Sequence, residues 1–228
     1  MALSLMYIKT IKEIKRPAIA SIWPNLKSES IILDLGANTK NDPRYLVDNA
    51  VLGSSLASIL FKIDNPTIGL LNIGVEENKG NEIIKLASES LKSLSEKSLI
   101  NYYGFVEGND ISIGKTHVVV TDGFTGNIAL KTAEGTANFI TENLKKSLNK
   151  LSVLLSYNSL KKFKNKLDPR KYNGAIFLGL EKPVVKSHGA TDSIGFAHSI
   201  HVCNKIIKAN LIEKIKANLT TVDPLKET

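Results

Sequence analysis

The stretch Val118-Val-Val-Thr-Asp122-Gly-Phe-Thr-Gly126-Asn-Ile-Ala-Leu-Lys131 is the most informative part of this 228-residue sequence. Its three valines predict a buried strand that ends at Asp122-Gly123, and a long helical pattern begins close to Gly126. In an open α/β sheet, ligands are held where the carboxyl end of a strand turns into a helix. Glycines let other backbone come close there, and the free N–H groups of a helix start favour anions. The alternative interpretation is a purely structural turn in which Asp122 caps the helix.

The composition is that of an ordinary globular protein. Hydrophobic residues make up 43% and charged residues 23% of the chain, which suffices for one sizeable core. The single cysteine, Cys203, excludes an internal disulfide and is compatible with a reducing compartment. The first residues do not match a secretory signal, and no apolar run is long enough to span a membrane. We therefore expect a soluble, cytoplasmic protein.

The net charge of +8 is concentrated in one segment. Residues 141–171 contain nine cationic side chains and two acidic ones, and this balance points to an acidic partner. From Phe139 to Leu167 the apolar residues also follow helical spacing, and lysines fill the other faces. Such a basic amphipathic stretch suits an anionic membrane surface or an acidic protein, but a helix pair packed on the body with solvated lysines fits equally well. Few aromatic residues interleave with the lysines, so no nucleic-acid partner is expected. The residues predicted to contact a membrane or a carrier protein are Lys145, Lys146, Lys150, Leu151, Leu155, Lys161, Lys162 and Phe163.

Short apolar runs alternate with amphipathic stretches along the chain, as they do in βαβ units. Asp42-Pro43 has the form of a helix N-cap followed by proline, and it opens a helix that reaches about Phe61. Residues 1–210 are predicted to form one α/β domain with a basic helical insertion at 139–171. Residues 211–228 are predicted to be a polar tail that frays. The predicted strands are 31–35, 67–73, 101–106, 118–120, 175–180 and 184–186, and the further helices are about 81–94, 126–149 and 192–208.

Similar residues follow three of the predicted strands. Asp34-Leu-Gly36-Ala-Asn38 follows the first strand, Asn72-Ile-Gly74-Val-Glu76-Glu77-Asn-Lys79-Gly80 the second, and Asp122-Gly-Phe-Thr-Gly126-Asn127 the fourth. The carboxyl ends of parallel strands meet at one edge of a sheet, where α/β active sites usually lie. Turn chemistry alone explains each glycine and asparagine, but the repetition predicts a shared site.

Several common motifs are excluded. Asn109-Asp-Ile-Ser-Ile-Gly114-Lys115-Thr116 nearly matches a P-loop, but it lacks the first glycine and leads into a strand instead of a helix. The sequence contains no nucleophile elbow, zinc-protease motif, paired C-x-x-C or dinucleotide-binding glycine pattern. His188, in Lys186-Ser-His188-Gly189, is either a hydrogen-bonded turn residue or a substrate contact.

A series of short motifs, taken in order, resembles one family. The motifs are Arg16-Pro-Ala18, Leu33–Asn38, Gly69–Glu82, Val106–Asp110, Asp122–Gly135, Tyr172–Ala175, Leu178-Gly179 and Lys186–Gly189. Each motif is weak alone, but their order over about Met1 to Ile207 is highly specific. The sequence resembles the bacterial phosphate acyltransferases of phospholipid synthesis, the acyl-ACP:phosphate transacylase (PlsX) family.

The resemblance implies a homodimer with a three-layer α/β/α sandwich similar to isocitrate and isopropylmalate dehydrogenases, from which the basic segment protrudes. It implies that inorganic phosphate attacks the thioester of acyl-acyl carrier protein to give acyl phosphate, and that the protein associates peripherally with the membrane. We expect no cofactor and no metal. The family normally begins with a strand and a glycine-rich Asp-Ala-Met-Gly-Gly-Asp loop that this sequence lacks, so we expect an N-terminally incomplete domain.

The chemistry implied by the resemblance sets what the site must supply. Phosphate is itself an anionic nucleophile and a thiol leaves readily, so the site needs a phosphate cradle and donors for the tetrahedral oxyanion. Carboxylates among the candidates are expected to orient the cations. The expected catalytic residues are Lys79, Asp122, Lys131, Lys186 and His188, and the expected substrate-binding residues are Asp34, Asn38, Glu76, Gly123, Gly126 and Asn127.

Two other functions stay open at this point. The chain is alternatively an inactive fragment that keeps a membrane-binding or carrier-binding surface. It is alternatively a dehydrogenase of similar fold, although the sequence has no recognisable nicotinamide-binding pattern.

Overall fold

The computed structural model describes residues 7–40, 42–149, 156–166, 168–189 and 191–222. Most of the predicted elements are confirmed. The sequence pattern does not predict the strand at Ala18–Pro24 or the helices at Gly108–Ile113 and Leu211–Val222. The strands are β1 Ala18–Pro24, β2 Glu29–Leu33, β3 Thr67–Leu71, β4 Asn101–Val106, β5 Val118–Val120, β6 Ala175–Leu178 and β7 Val184–Lys186. The helices are α1 Pro43–Phe61, α2 Glu82–Glu96, α3 Gly108–Ile113, α4 Gly123–Ser147, α5 Tyr157–Lys166, α6 Ser193–Lys208 and α7 Leu211–Val222, with a 3-10 turn at Pro169–Tyr172.

The strands form one mixed, seven-stranded sheet in the order β4-β3-β5-β2-β1-β6-β7. β4, β3, β5 and β2 are parallel to one another, and short continuous apolar runs are typical of strands buried on both faces. β1 pairs antiparallel with β2 and with β6, and β7 pairs antiparallel with β6 at the edge. The carboxyl ends of β2, β5 and β3 therefore lie side by side at one edge of the sheet.

The main hydrophobic core lies on the face of the sheet that α1, α2, α6 and α7 cover. α1 is central to it, and Leu52 and Leu56 are fully buried there. The burial of each such leucine contributes about 2 to 3 kcal/mol. Gly53 lets α1 lie close to β5, since a Cβ at this position would be 2.6 Å from the Val118 side chain.

The C-terminal residues up to Val222 are part of this core. α7 buries Leu211, Ile215, Leu219 and Val222, and it packs against α1. The prediction of a polar, fraying tail from residue 211 is therefore wrong for residues 211–222, and residues 223–228 lie outside the described residues. The composition of this segment is polar, but its apolar residues recur at the helical spacing of three and four, which places them all on one face.

The opposite face of the sheet carries a smaller apolar cluster, which includes Ile32, Leu71 and Val119. Ile111 of α3 belongs to this cluster, and Leu130 of α4 packs against it. Together with the helices on the main face, these elements place helical structure on both sides of the sheet.

α4 is anchored at one end and exposed along most of its length. Of its 25 residues, all of them described, Gly123 and Gly126 are the buried ones. Phe139 is 69% exposed, and Lys145 pairs with Glu142 at 2.7 Å on the surface. Across the described parts of the chain, no helix is both long and apolar enough to cross a membrane.

The basic segment is seen in part. α5 is the next described helix after α4, and Lys161, Lys162 and Phe163 are exposed on it. The remaining residues predicted to contact a membrane or carrier protein, Lys150, Leu151 and Leu155, lie outside the described residues.

Candidate active site

Three loops meet at the edge of the sheet where the parallel strands end. We call them the β2 loop (residues 34–40), the β3 loop (residues 72–80) and the β5 turn (residues 121–127), which includes the first turn of α4. β5 lies between β2 and β3 and is parallel to both. The prediction that the three motif-bearing strand ends converge at one edge is confirmed.

The β2 loop and the β5 turn are in direct contact. The Gly123 N–H donates to the Asn38 carbonyl at 3.0 Å, and the Asn127 Nδ2 donates to the Leu35 carbonyl at 3.2 Å. The glycines make this contact possible. A Cβ on Gly123 would lie 2.4 Å from the Asn38 carbonyl oxygen, and one on Gly126 would lie 2.0 Å from the Asp34 carbonyl oxygen, so both positions exclude any side chain.

Asp34 holds the β2 loop in place. Its carboxylate is fully buried and accepts hydrogen bonds from five donors, which saturates both oxygens. These contacts are therefore with the backbone and one hydroxyl, which supports a role in holding the loop, and the expected role in orienting a cation or binding substrate stays a prediction. The donors are the backbone N–H groups of Ile19, Gly36, Ala37 and Asn38 and the hydroxyl of Tyr45, at 2.8 to 3.2 Å.

The first turn of α4 is a structural turn capped by Asp122, as in the alternative interpretation of the stretch Val118–Lys131. Asp122 caps it, and its Oδ1 accepts the N–H groups of Phe124 at 3.0 Å and Thr125 at 2.9 Å. The Gly126 N–H donates to the Asp122 carbonyl at 2.9 Å, and the Gly123 N–H is taken by the β2 loop. All four N–H groups are satisfied within the protein. The expected phosphate cradle of Gly123 to Gly126 N–H groups is therefore not available here, because these groups would first have to release their present partners.

The β3 loop is closed by a residue that the sequence analysis does not select as a site residue. Asn72 is buried directly after β3, its Oδ1 accepts the Ile73 N–H at 2.9 Å, and its Nδ2 donates to the Lys79 carbonyl at 3.2 Å. Gly80 has a positive φ of 86°, and a Cβ there would lie 2.4 Å from the Asn72 Oδ1. Asn72, like Asp34, comes immediately after a strand, and this position in the sequence is the signal that identifies it.

Comparison with known proteins places the chain in a family. A family model described as "Fatty acid synthesis protein" matches residues 1–214. A protein named phosphate acyltransferase from Pelagibacter ubique is 50% identical over 96% of this chain and 67% of its own length. Another from Sinorhizobium fredii is 47% identical over 96% of this chain and 64% of its own length. The chain belongs to this family. It spans about two thirds of the length of these relatives.

Two solved structures are similar to this chain. The EutD phosphotransacetylase from Staphylococcus aureus has a TM-score of 0.57 at 17% identity, covering 89% of this chain and 57% of that one. A phosphotransacetylase from Streptococcus pyogenes has a TM-score of 0.54 at 19% identity, covering 94% of this chain and 57% of that one. At such identities the likeness shows the fold alone. The chain thus has a mixed α/β fold similar to that of these phosphotransacetylases.

Two of the predicted lysines reach solvent at or near the carboxyl-end loops. Lys79 is exposed in the β3 loop, next to the exposed Glu76. Lys131 is exposed one turn along α4 from Asn127, and it pairs with Glu134 at 2.7 Å. An exposed ion pair of this kind is weak, so an anionic ligand can compete with Glu134 for the lysine.

Two other predicted residues lie elsewhere in the structure. Lys186 pairs with Ala175 at the amino end of β6, and β6 is parallel to β2 because both are antiparallel to β1. Lys186 and His188 therefore lie at the edge of the sheet opposite the carboxyl-end loops, and grouping them with those loops within one chain is wrong. The His188 N–H donates to the buried Asn173 Oδ1 at 2.8 Å, which supports the structural interpretation of this turn.

Tyr45 belongs to the site although the sequence pattern gives no signal for it. Its side chain is 3% exposed; the hydroxyl donates to Asp34 Oδ2 at 2.8 Å and accepts a hydrogen bond from Asn38 Nδ2 at 2.8 Å. Burial and the charge of Asp34 raise the pKa of this hydroxyl, so it remains protonated and able to donate. In sequence it is one apolar position among many on the buried face of α1.

Proposed function

We propose that the chain is a phosphate acyltransferase that moves an acyl group from a thioester to inorganic phosphate. The observation that carries the proposal is the 50% identity to a protein named phosphate acyltransferase over 96% of this chain. The convergence of the motif-bearing loops at the carboxyl edge of the parallel strands supports it, because open α/β sheets bind their ligands there.

The reaction needs no nucleophile from the protein. The dianion HPO₄²⁻ attacks the thioester carbonyl carbon, a carbon–oxygen bond forms and the carbon–sulfur bond breaks. The proton of the phosphate ends on the departing thiolate, so the products are acyl phosphate and free thiol. The protein contributes by holding the two substrates together and by stabilising the tetrahedral oxyanion.

The exposed polar residues of the carboxyl-end loops are the ones we assign to substrate. We propose that Lys79 and Lys131 contact phosphate or the oxyanion, that Asn127 contacts phosphate, and that Glu76 orients Lys79. Asn38 acts through the position of its backbone, because both its carbonyl and its Nδ2 already have partners in the protein.

We assign Lys186 and His188 to the reaction only across a homodimer interface. Within one chain they lie at the opposite edge of the sheet from the carboxyl-end loops. The homodimer, and the three-layer sandwich similar to isocitrate and isopropylmalate dehydrogenases, are proposals that rest on the family resemblance. The helices seen on both sides of the sheet are compatible with such a sandwich.

The thioester donor we propose is acyl-acyl carrier protein, and we propose that the basic segment binds it and an anionic membrane surface. Lys145, Lys146, Lys161 and Lys162 are all exposed, as electrostatic steering of an acidic partner requires. The protein would then work in the cytoplasm at the membrane surface, without a cofactor or a metal.

The test is the formation of acyl phosphate from acyl-acyl carrier protein and phosphate, trapped as the hydroxamate with hydroxylamine. Turnover that depends on both substrates supports the proposal. Binding of the carrier protein without turnover would indicate an inactive fragment, and oxidation of a hydroxy acid with nicotinamide cofactor would indicate a dehydrogenase. Either result contradicts the proposed activity.

The assignment of the lysines is tested by Lys131→Ala and Lys79→Ala. Each is expected to raise the KM for phosphate by about tenfold, the loss of about one charge-assisted contact. The matched control is Lys208→Ala, an exposed lysine at the end of α6, which is expected to leave the KM unchanged. A lysine whose replacement leaves phosphate dependence as in the control does not belong to the site.

A further inference from the structure

The hydroxyl of Tyr45 links α1 to the loops of the candidate site. It donates to Asp34 Oδ2 and accepts from Asn38 Nδ2, both at 2.8 Å. The Asn38 carbonyl in turn accepts the N–H of Gly123, the first residue of α4, at 3.0 Å. Asn38 Nδ2 also donates to the Pro17 carbonyl at 2.8 Å. The hydroxyl of Tyr45 is thus the side-chain link between α1 and the β2 loop in this network, and the β2 loop holds the start of α4.

The ring of Tyr45 is clamped from its other side. The Arg16 guanidinium lies over it, 5.0 Å from the ring centre, at the distance of a cation–π contact. The same guanidinium donates to the Lys40 carbonyl and to Asp42 Oδ2, each at 2.5 Å. Asp42 also accepts the Tyr45 N–H at 2.8 Å. These contacts restrict the rotation of the ring, so the hydroxyl is held beside Asp34 and Asn38.

The surroundings of Tyr45 offer its partners few substitutes. Asp34 is fully buried, and Asn49, one turn along α1 from Tyr45, is also fully buried. The carboxamide of Asn49 makes no hydrogen bond with any residue that the structure describes. Without the hydroxyl, Asp34 Oδ2 would lose a partner at a fully buried position, and Asn38 Nδ2 would keep only the Pro17 carbonyl.

We propose that Tyr45 is a positioning residue for phosphate binding, which acts through Asn38 on the junction of the β2 loop and α4. This rests on the proposed phosphate acyltransferase function. Tyr45 does not touch the substrate. It sets the fraction of molecules in which the β2 loop and the first turn of α4 are in the binding arrangement, and the apparent affinity for phosphate falls in proportion to that fraction.

The experiment compares Tyr45→Phe with Tyr102→Phe. Tyr102 is a matched control, since its hydroxyl is partly buried and forms a hydrogen bond with the Ser88 hydroxyl at 2.8 Å. It lies in β4, the strand at one edge of the sheet. Tyr45→Phe is expected to raise the KM for phosphate about tenfold while kcat changes less than about threefold, and Tyr102→Phe is expected to change neither by more than about twofold. Equal effects of the two substitutions overturn the proposal.

A second measurement does not depend on activity. Tyr45→Phe is expected to speed amide hydrogen exchange at Ala37, Asn38 and Gly123 about tenfold or more relative to Tyr102→Phe. If the wild-type chain makes no acyl phosphate, the proposed function fails, and the exchange result still decides the role of Tyr45. Unchanged exchange at these amides overturns the role of Tyr45 whatever the activity.

Arg16→Gln covers the case in which Tyr45→Phe does not fold. The Arg16 side chain is 31% exposed, so its replacement leaves no fully buried group unpaired, but it releases the ring of Tyr45 and the end of the β2 loop. Exchange at Ala37 and Asn38 is expected to rise in the same direction, by about threefold. Exchange equal to that of the wild type contradicts the clamp and, with it, the proposal.

Discussion

The β2 loop and the β3 loop begin alike and are held differently. Each starts with a buried polar side chain placed directly after a parallel strand, Asp34 in one and Asn72 in the other. Asp34 accepts donors from β1, from its own loop and from α1, so the β2 loop is part of the tertiary structure. Asn72 bonds through its side chain to Ile73 and Lys79 within its own loop. The β2 loop can therefore move only with its neighbours, whereas the β3 loop is tied to α2 by the exposed ion pair of Glu77 with Lys92 and is held more weakly.

The largest expected effect comes from breaking the junction of the β2 loop with α4. Gly126→Ala places a Cβ 2.0 Å from the Asp34 carbonyl oxygen, and backbone on both sides must shift. We expect the free energy of unfolding to fall by about 3 kcal/mol, at the upper end of the usual cost of overpacking. Urea denaturation measures it.

Gly135→Ala on the same helix is the matched control. Apart from its chain neighbours and the nearby backbone of the helix itself, no atom of the described residues lies within 4 Å of a Cβ at that position. The substitution is therefore expected to stabilise the protein by about 0.5 to 1 kcal/mol through helix propensity. A similar cost at both positions would show that the glycine at 126 is not needed for close contact.

Asp34→Asn is expected to have the next largest effect. An amide in place of the carboxylate turns one acceptor into a donor, which then faces the Asn38 N–H and the Tyr45 hydroxyl. We expect a loss of about 2 kcal/mol in the free energy of unfolding. Faster amide exchange should extend over the whole junction, including Gly123. Exchange confined to the β2 loop would mean that the junction does not act as one unit.

Asn72→Ala is expected to be milder and local. The loss of two hydrogen bonds within one loop should lower the free energy of unfolding by about 1 kcal/mol. Amide exchange should rise in the β3 loop and stay unchanged at Asn38 and Gly123. Spread of the effect to Gly123 would contradict the difference between the two loops.

The sequence predicts the convergence of these loops because apolar runs and turn residues report strand ends directly. Asp34 and Asp122 are visible as acidic residues after strands, but their roles depend on which donors surround them, and most of those donors are backbone N–H groups that every residue carries. The sequence gives no signal for Tyr45 for a similar reason, since its hydroxyl becomes important only when the fold brings α1 into contact with the β2 loop. The sequence groups Lys186 and His188 with the other motifs, because the order of residues does not reveal that β7 runs antiparallel to β2, β3 and β5.

The smallest expected effect lies away from both loops and serves as an external reference. Hydrogen bonds from Arg170 lower the pKa of Asp168 to about 2, below its ordinary value of 3.8. A lowered folded-state pKa gives stability that is present above about pH 4 and is lost as the pH falls towards about 2. Because Arg170 is 40% exposed, we expect less than about 1 kcal/mol.

Asp168→Asn should remove that acid-dependent loss, and thermal unfolding between pH 4.5 and about 2 measures it. The same scan with Asn72→Ala should retain the wild-type pH dependence. An identical pH profile for wild type and Asp168→Asn would show that this ion pair does not contribute to stability.

The attachment of α4 has a mechanical consequence. A helix of 25 residues is about 37 Å long at 1.5 Å per residue, and its buried residues, Gly123 and Gly126, are both in the first turn. Its buried attachment, between Asp34 and Asn38, lies at one end of a long lever. A tilt of about 10° there displaces the C-terminal end of the helix, at Ser147, by about 6 Å for this length. By the same geometry, a force applied near Ser147 acts on the contact between the Asn38 carbonyl and the Gly123 N–H.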